Sequence, residues 1–101
     1  MTDQDGPLTT PAMWRAIAAV VAERARQDAK WGTQNHDPFL YLNILMEEVG
    51  ETSQAALDLR FGKGTLQHLR DEAVQAAAVA LAIVECLDRG KWEWGNHAVK
   101  D

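Results

Sequence analysis

Five side chains in this sequence stand at spacings that can hold a divalent cation. Glu47, Glu48 and Glu51 fall in one short run, and Glu72 and Gln75 follow about one helix later. Glu48 and Glu51 are three apart, so on a helix they share one face, and Glu72 and Gln75 repeat that spacing. Helical periodicity sets the first pair in a stripe with Tyr41, Ile44 and Ala55. It sets the second with Leu69, Ala76, Val79 and Ile83. Carboxylates on apolar stripes are costly to bury unless something positive neutralises them, and neither stripe contains Lys or Arg. A hard cation held by oxygen ligands meets that need. A di-iron centre would require Glu-x-x-His. None of His36, His68 and His97 follows a Glu at that distance, so Mg²⁺ or Mn²⁺ is the expected ion. The competing reading is a solvated acidic face.

Two details bear on the fourth ligand. The Gln75 amide oxygen can ligate Mg²⁺ but brings no charge. Asp71 is an alternative, although it lies about 100° round the helix from Glu72. Glu85 and Asp88, further along, read as a charged helix end before Arg89 and Gly90.

These residues resemble the MazG-like, all-α nucleoside triphosphate pyrophosphohydrolases, which carry E-E-x-x-E on one helix and E-x-x-D on the next. Glu47, Glu48 and Glu51 match the first motif in full. Glu72 matches the second, and Gln75 stands where the family usually has Asp. The similarity covers roughly residues 31–85. It implies Mg²⁺ held by Glu48, Glu51, Glu72 and Gln75, and attack of water on a triphosphate to give nucleoside monophosphate and pyrophosphate. Glu47, beside the ligands yet rotated off them, is the candidate to orient or deprotonate that water; its alternative is an ordinary surface glutamate.

Lys30-Trp31-Gly32-Thr33-Gln34-Asn35-His36 precedes the acidic helix and is the expected nucleotide contact. Trp31 can stack on a base, Gln34 or Asn35 can read its edge, and Lys30 can meet a phosphate. Trp31 can equally close the core beside a helix-ending glycine. Arg70 and Lys63 are further phosphate candidates, and His68 is either a donor behind the metal or a half-buried polar residue.

The elements that must position these groups are three. Thr10-Pro11 reads as N-cap and first residue of a helix to about Lys30, with Trp14, Ile17, Val20, Val21 and Ala25 inward and Arg15, Glu23, Arg24 and Arg26 on the opposite side. Gly32 ends it as a left-handed residue. Asp37-Pro38 opens a second helix to about Arg60, with a core stripe of Leu42, Leu45, Met46, Val49, Ala56 and Leu59 beside the carboxylate stripe. Thr65 caps a third, Leu66 to Arg89, which stops at Gly90. The expected fold is an all-α antiparallel bundle of three long helices. Residues 1–10 read as a mobile leader, 11–90 as the helical domain and 91–101 as an aromatic segment with Trp92 and Trp94.

Bulk properties narrow the function. A chain of 101 residues rich in Ala has a marginal core, so oligomerisation, as a homodimer or homotetramer, is expected to complete it. The net charge of −5 with no basic stripe excludes nucleic acid as a partner, while a metal ion can still bring a triphosphate to an acidic protein. Cys86, the single cysteine, sits in an apolar helix and reads as a buried, inert thiol. Without a signal-like N-terminus or a long apolar run, a cytoplasmic location and no membrane partner are expected. The rival to an enzyme is a helical module of the same fold that binds nucleotides or a partner without turnover. A plain dimerisation bundle leaves the inward glutamates unexplained.

Overall fold

Each helix begins where a short polar side chain can take up an orphan backbone N–H. In the computed structural model, which describes residues 10–92, Thr10 accepts from the Met13 amide at 3.1 Å, Asp37 from Leu40 at 2.9 Å and Thr65 from His68 at 3.0 Å. The helices so started are α1 (Pro11–Trp31), α2 (Pro38–Arg60) and α3 (Leu66–Arg89), and the described residues contain no strand. Gly90 ends α3 in the left-handed region (φ 71°, ψ 17°) as expected. Gly32 does not: its φ is 75° but its ψ is 174°, so the chain leaves α1 extended, a combination only glycine takes readily.

The three helices run up, down and up. Tyr41, near the start of α2, packs on Ala82 and Cys86 near the end of α3, and Glu48 and Glu51 meet Glu72 near its start. α1 lies beside α3 in the same direction, Glu23 level with Gln75 and Arg24 meeting Glu85. No Cα of α1 lies within 8 Å of a Cα of α2. α3 is therefore the shared floor, and Ala78 and Ala82 on it let its neighbours approach closely.

Two sequence expectations are overturned. The stripe of α2 assigned to the core is largely outside: Leu42, Met46, Val49 and Ala56 are exposed and only Leu45 and Leu59 are half-buried. The stripe that carries the glutamates is the one that faces α3, with Tyr41 and Ala55 buried in it. On α3 the small residues Ala82 and Cys86 receive Tyr41 of that stripe. On α1, Glu23 and Arg24 are turned inward rather than decorating the outside, their side chains 12% and 11% exposed, while Trp14, Val21 and Ala25 are exposed. The Arg24 guanidinium forks onto Glu85 of α3 at 2.9 and 3.0 Å and onto Asp28 at 3.1 and 3.3 Å. That pairing draws α1 round.

The α1–α2 connection is strapped to the end of α3. Tyr41 donates its hydroxyl to the Gln34 carbonyl at 2.8 Å, and Arg89 donates to the Asn35 side chain at 3.0 Å and the Gln34 carbonyl at 3.2 Å. Cys86 is buried and free beneath them, and Trp92 packs against the same cluster. The expected leader through residue 9, together with Trp94, His97 and the rest of the aromatic segment, lies outside the described residues. No described helix is long and apolar enough to cross a membrane.

The Arg24 fork makes a stability prediction. Arg24→Met keeps the stem and removes four charge-assisted bonds, two to Glu85 and two to Asp28, both partly exposed, and should cost about 1–2 kcal/mol in urea unfolding. Arg24 holds the Glu85 carboxyl below its ordinary value. The fork's contribution is therefore complete above the unfolded carboxylate range and lost as pH falls through the lowered value. Double-mutant coupling with Glu85→Gln should be near zero at the acid end and clearly stabilising at neutral pH.

Candidate metal centre

Because α2 presents its carboxylate stripe to α3, one oxygen each from Glu48, Glu51 and Glu72 comes within 4.8 Å of the others. Helix geometry does this directly: Glu48 and Glu51 are stacked by their spacing, and the antiparallel turn at residues 61–65 returns Glu72 to their level. In that turn Gly64 lies so close to α2 that a Cβ there would meet the Asp58 Cβ and the Leu59 amide nitrogen at 3.2 Å.

Three carboxylates in contact are electrostatically unfavourable in the free protein. Burial, followed by the charges of Glu51 and Glu72, pushes the Glu48 carboxyl above its ordinary value, and Glu23 adds to the effect from α1. Glu48 Oε1 and Glu72 Oε1 are fully buried without a hydrogen-bond partner. The nearest positive group to Glu72 is His68 Nε2, 3.8 Å from Oε2 and an ion-pair partner only when protonated. His68 is exposed, not half-buried. Orphaned acceptor oxygens, an all-oxygen donor set and like charges that a cation would relieve could hold an ion such as Mg²⁺ or Mn²⁺.

Glu48, alone of the three carboxylates, also lines a cleft of about 190 Å³ between α1 and α2. Val79, Ala82 and Gln75 of α3 line its floor; Tyr41, Ile44 and Glu48 line the α2 wall, and Glu23, Arg24, Gln27 and Trp31 the α1 wall. Burial pushes the Tyr41 hydroxyl above its ordinary value, so it enters the site as a neutral donor already given to Gln34.

The expected site residues divide accordingly. Glu48, Glu51 and Glu72 are brought together, and Gln75 lines the cleft beside them. Trp31 stands at the cleft's edge, 61% exposed, so it does not close the core, and the Lys30 ammonium lies over its ring at 4.8 Å. Gln34 reaches the cleft. Asn35 is drawn away: its side-chain oxygen accepts from Arg89, and it lines a separate surface hollow with His36 and Trp92. Arg70 lines an adjoining groove between α1 and α3 rather than the cleft itself. Glu47 is exposed and outside both the cleft lining and the carboxylate cluster. Lys63 is exposed in the α2–α3 turn, away from the cleft.

Residues of α1 are what sequence reasoning missed. Glu23 and Arg24 fall one turn beyond Val20, and Gln27 one turn beyond Glu23, on a stripe that is half-buried like that of Glu48. A search for polar groups in that stripe would have found them. Comparison with known proteins gave no match: no family model, no characterised protein and no solved structure shows significant similarity to this chain.

A raised carboxyl in the free protein has a direct consequence. Above the ordinary carboxylate range the Glu48 charge opposes folding, and that penalty fades as pH falls and the proton returns. In chelator at neutral pH, Glu48→Gln should therefore raise the melting temperature by a few degrees, an advantage that disappears near pH 4. Mg²⁺ should stabilise the wild type and leave the variant nearly unmoved. A variant less stable than wild type in chelator would refute the like-charge account.

Proposed function

We propose that this chain is a Mg²⁺-dependent nucleotide pyrophosphohydrolase of the MazG-like type, splitting a nucleoside triphosphate into nucleoside monophosphate and pyrophosphate. The observation that carries this reading is the convergence of Glu48, Glu51 and Glu72, two of their oxygens buried and unpartnered, beside a cleft that Glu48 and Gln75 line. Glu48, Glu51 and Glu72, with the Gln75 amide beside them, would hold the ion. When bound, Mg²⁺ supplies charge screening at the phosphoryl oxygens and lowers the pKa of water.

The chain's own residues do the rest. The exposed Trp31 ring offers a stacking face at the cleft edge, and Tyr41, Ile44, Val79 and Ala82 form an apolar wall that excludes water from a base. Lys30 over Trp31 and Gln34 at the rim supply donors within reach of a phosphate or a base edge. The role of Glu47 as the residue that readies the attacking water requires an approach from outside the cleft. Gln75 favours a second reading, a nucleotide-binding module with weakened turnover, because the amide leaves the site one negative charge short of the resembled pattern.

The fold also supports self-association. Trp14 and Val21 of α1 and Leu42, Met46 and Val49 of α2 are large, apolar and exposed, while Cys86 is the largest side chain that is fully buried among the described residues. A core of this size contributes little against the entropy of ordering.

Two measurements test the proposal. Pyrophosphate release should be seen from at least one triphosphate in a panel of common and modified nucleotides with Mg²⁺ or Mn²⁺, and none with chelator. Glu72→Gln should lower turnover at least 100-fold with the helical spectrum intact, and Gln75→Asp should reduce the Mg²⁺ concentration for half-maximal rate. Silence across the panel with intact Mn²⁺ binding would favour the binding module. Separately, sedimentation at low micromolar concentration should give a dimer or tetramer; a stable, active monomer would refute the association argument.

A further inference from the structure

The cleft contains a carboxylate that the proposed metal set does not use and an arginine that the substrate contacts leave out. Glu23, 12% exposed, and Arg26, 60% exposed, stand one turn apart on α1 and are joined by two bonds of 2.9 and 2.6 Å, with Gln27 donating to Glu23 at 3.2 Å. Both line the cleft across from Glu48 and also the adjoining groove beside Gln75 and Arg70. Arg24 offers a contrast. Its guanidinium is buried and already divided between Glu85 and Asp28, so it is not free to turn to a ligand. Arg26 has a single carboxylate partner and a solvent-facing side chain that can swing at small cost.

Charge decides what such a pair can do. The metal set carries three carboxylates and one neutral amide, and a triphosphate arriving with its cation adds anionic oxygens that arginine binds as a fork. We infer that Glu23 and Arg26 are an exchange pair: Arg26 neutralises Glu23 while the cleft is empty and turns to the phosphates when a triphosphate enters. Glu23 is then left to supply, from α1, the negative charge missing at Gln75. Glu23 lies outside the three-carboxylate cluster, so it acts through its field across the cleft as a positioning residue rather than as a ligand. Its charge already reaches Glu48, where it adds to the raised carboxyl. This inference rests on the metal and triphosphate reading of the same cleft.

The test is Mn²⁺ binding followed by electron paramagnetic resonance, with and without a triphosphate analogue whose α–β bridge cannot be hydrolysed. Glu23→Gln, close in shape to the native residue, should weaken Mn²⁺ binding by roughly three- to tenfold in both conditions. Arg26→Gln, on an exposed side chain that leaves folding intact, should act in opposite directions. It should tighten Mn²⁺ binding in the absence of the analogue, because Glu23 is unmasked, and weaken analogue binding about tenfold. Gln75→Glu should restore Mn²⁺ affinity to the Glu23→Gln protein. Unchanged Mn²⁺ affinity in Glu23→Gln, or weaker Mn²⁺ binding in Arg26→Gln, would overturn the exchange pair alone. A wild-type protein that binds no Mn²⁺ would overturn the metal reading and the exchange pair with it.

Discussion

The juxtaposition of like charges between α2 and α3, with one oxygen each of Glu48 and Glu72 buried and Glu51 exposed, is the constraint on which the rest of this structure depends. Glu48, Glu51 and Glu72 are held in mutual contact by two helices that cannot separate without losing the Tyr41–Ala82–Cys86 cluster. No Lys or Arg among the described residues of α2 or α3 pairs with them, and burial with mutual repulsion pushes the Glu48 carboxyl above its ordinary value. A protein of this size has a few kcal/mol of net stability to lose. Retaining such an arrangement makes sense where a cation turns the repulsion into binding energy.

The same constraint accounts for the placement of α1. Were α1 packed against α2, the space above the carboxylates would be filled by side chains. Instead α1 is tied to α3 alone, through Arg24 on Glu85, and stands off from α2 with a cleft between. The connection between them is short but pinned at both ends, by Tyr41 to the Gln34 carbonyl and by Arg89 to Asn35. Pinning keeps Trp31 at the cleft edge. It also commits Asn35 to structure, so an amide that reads as a base-binding group in isolation serves as a strap.

Much of this was legible in the residues themselves, for physical reasons that are local. Helix starts at Thr10, Asp37 and Thr65 depend on a side chain bonding a backbone amide three residues away, and chain-local chemistry suffices to find them. The i, i+3 spacing of Glu48 with Glu51 and of Glu72 with Gln75 likewise stacks those groups whatever the helices pack against. Their apolar neighbours and the absence of Lys or Arg in their stripes set the carboxylates apart from ordinary surface charge.

What the residues could not disclose is which of two adjacent stripes a helix buries. On α2 the stripe of Leu42, Met46 and Val49 is the more hydrophobic, and single-helix periodicity favours it for the core. The face of α3, where Ala82 and Cys86 receive Tyr41, decided otherwise, because packing depends on both partners. The inward course of Glu23 and Arg24 was hidden for the same reason: Glu85, the partner that draws Arg24 in, lies 61 residues away. Composition and spacing thus determined the helices, their starts and the stacking of the clustered glutamates. Only the tertiary structure decided where the cleft lies and that α1 lines it, since those depend on contacts between residues far apart in the chain.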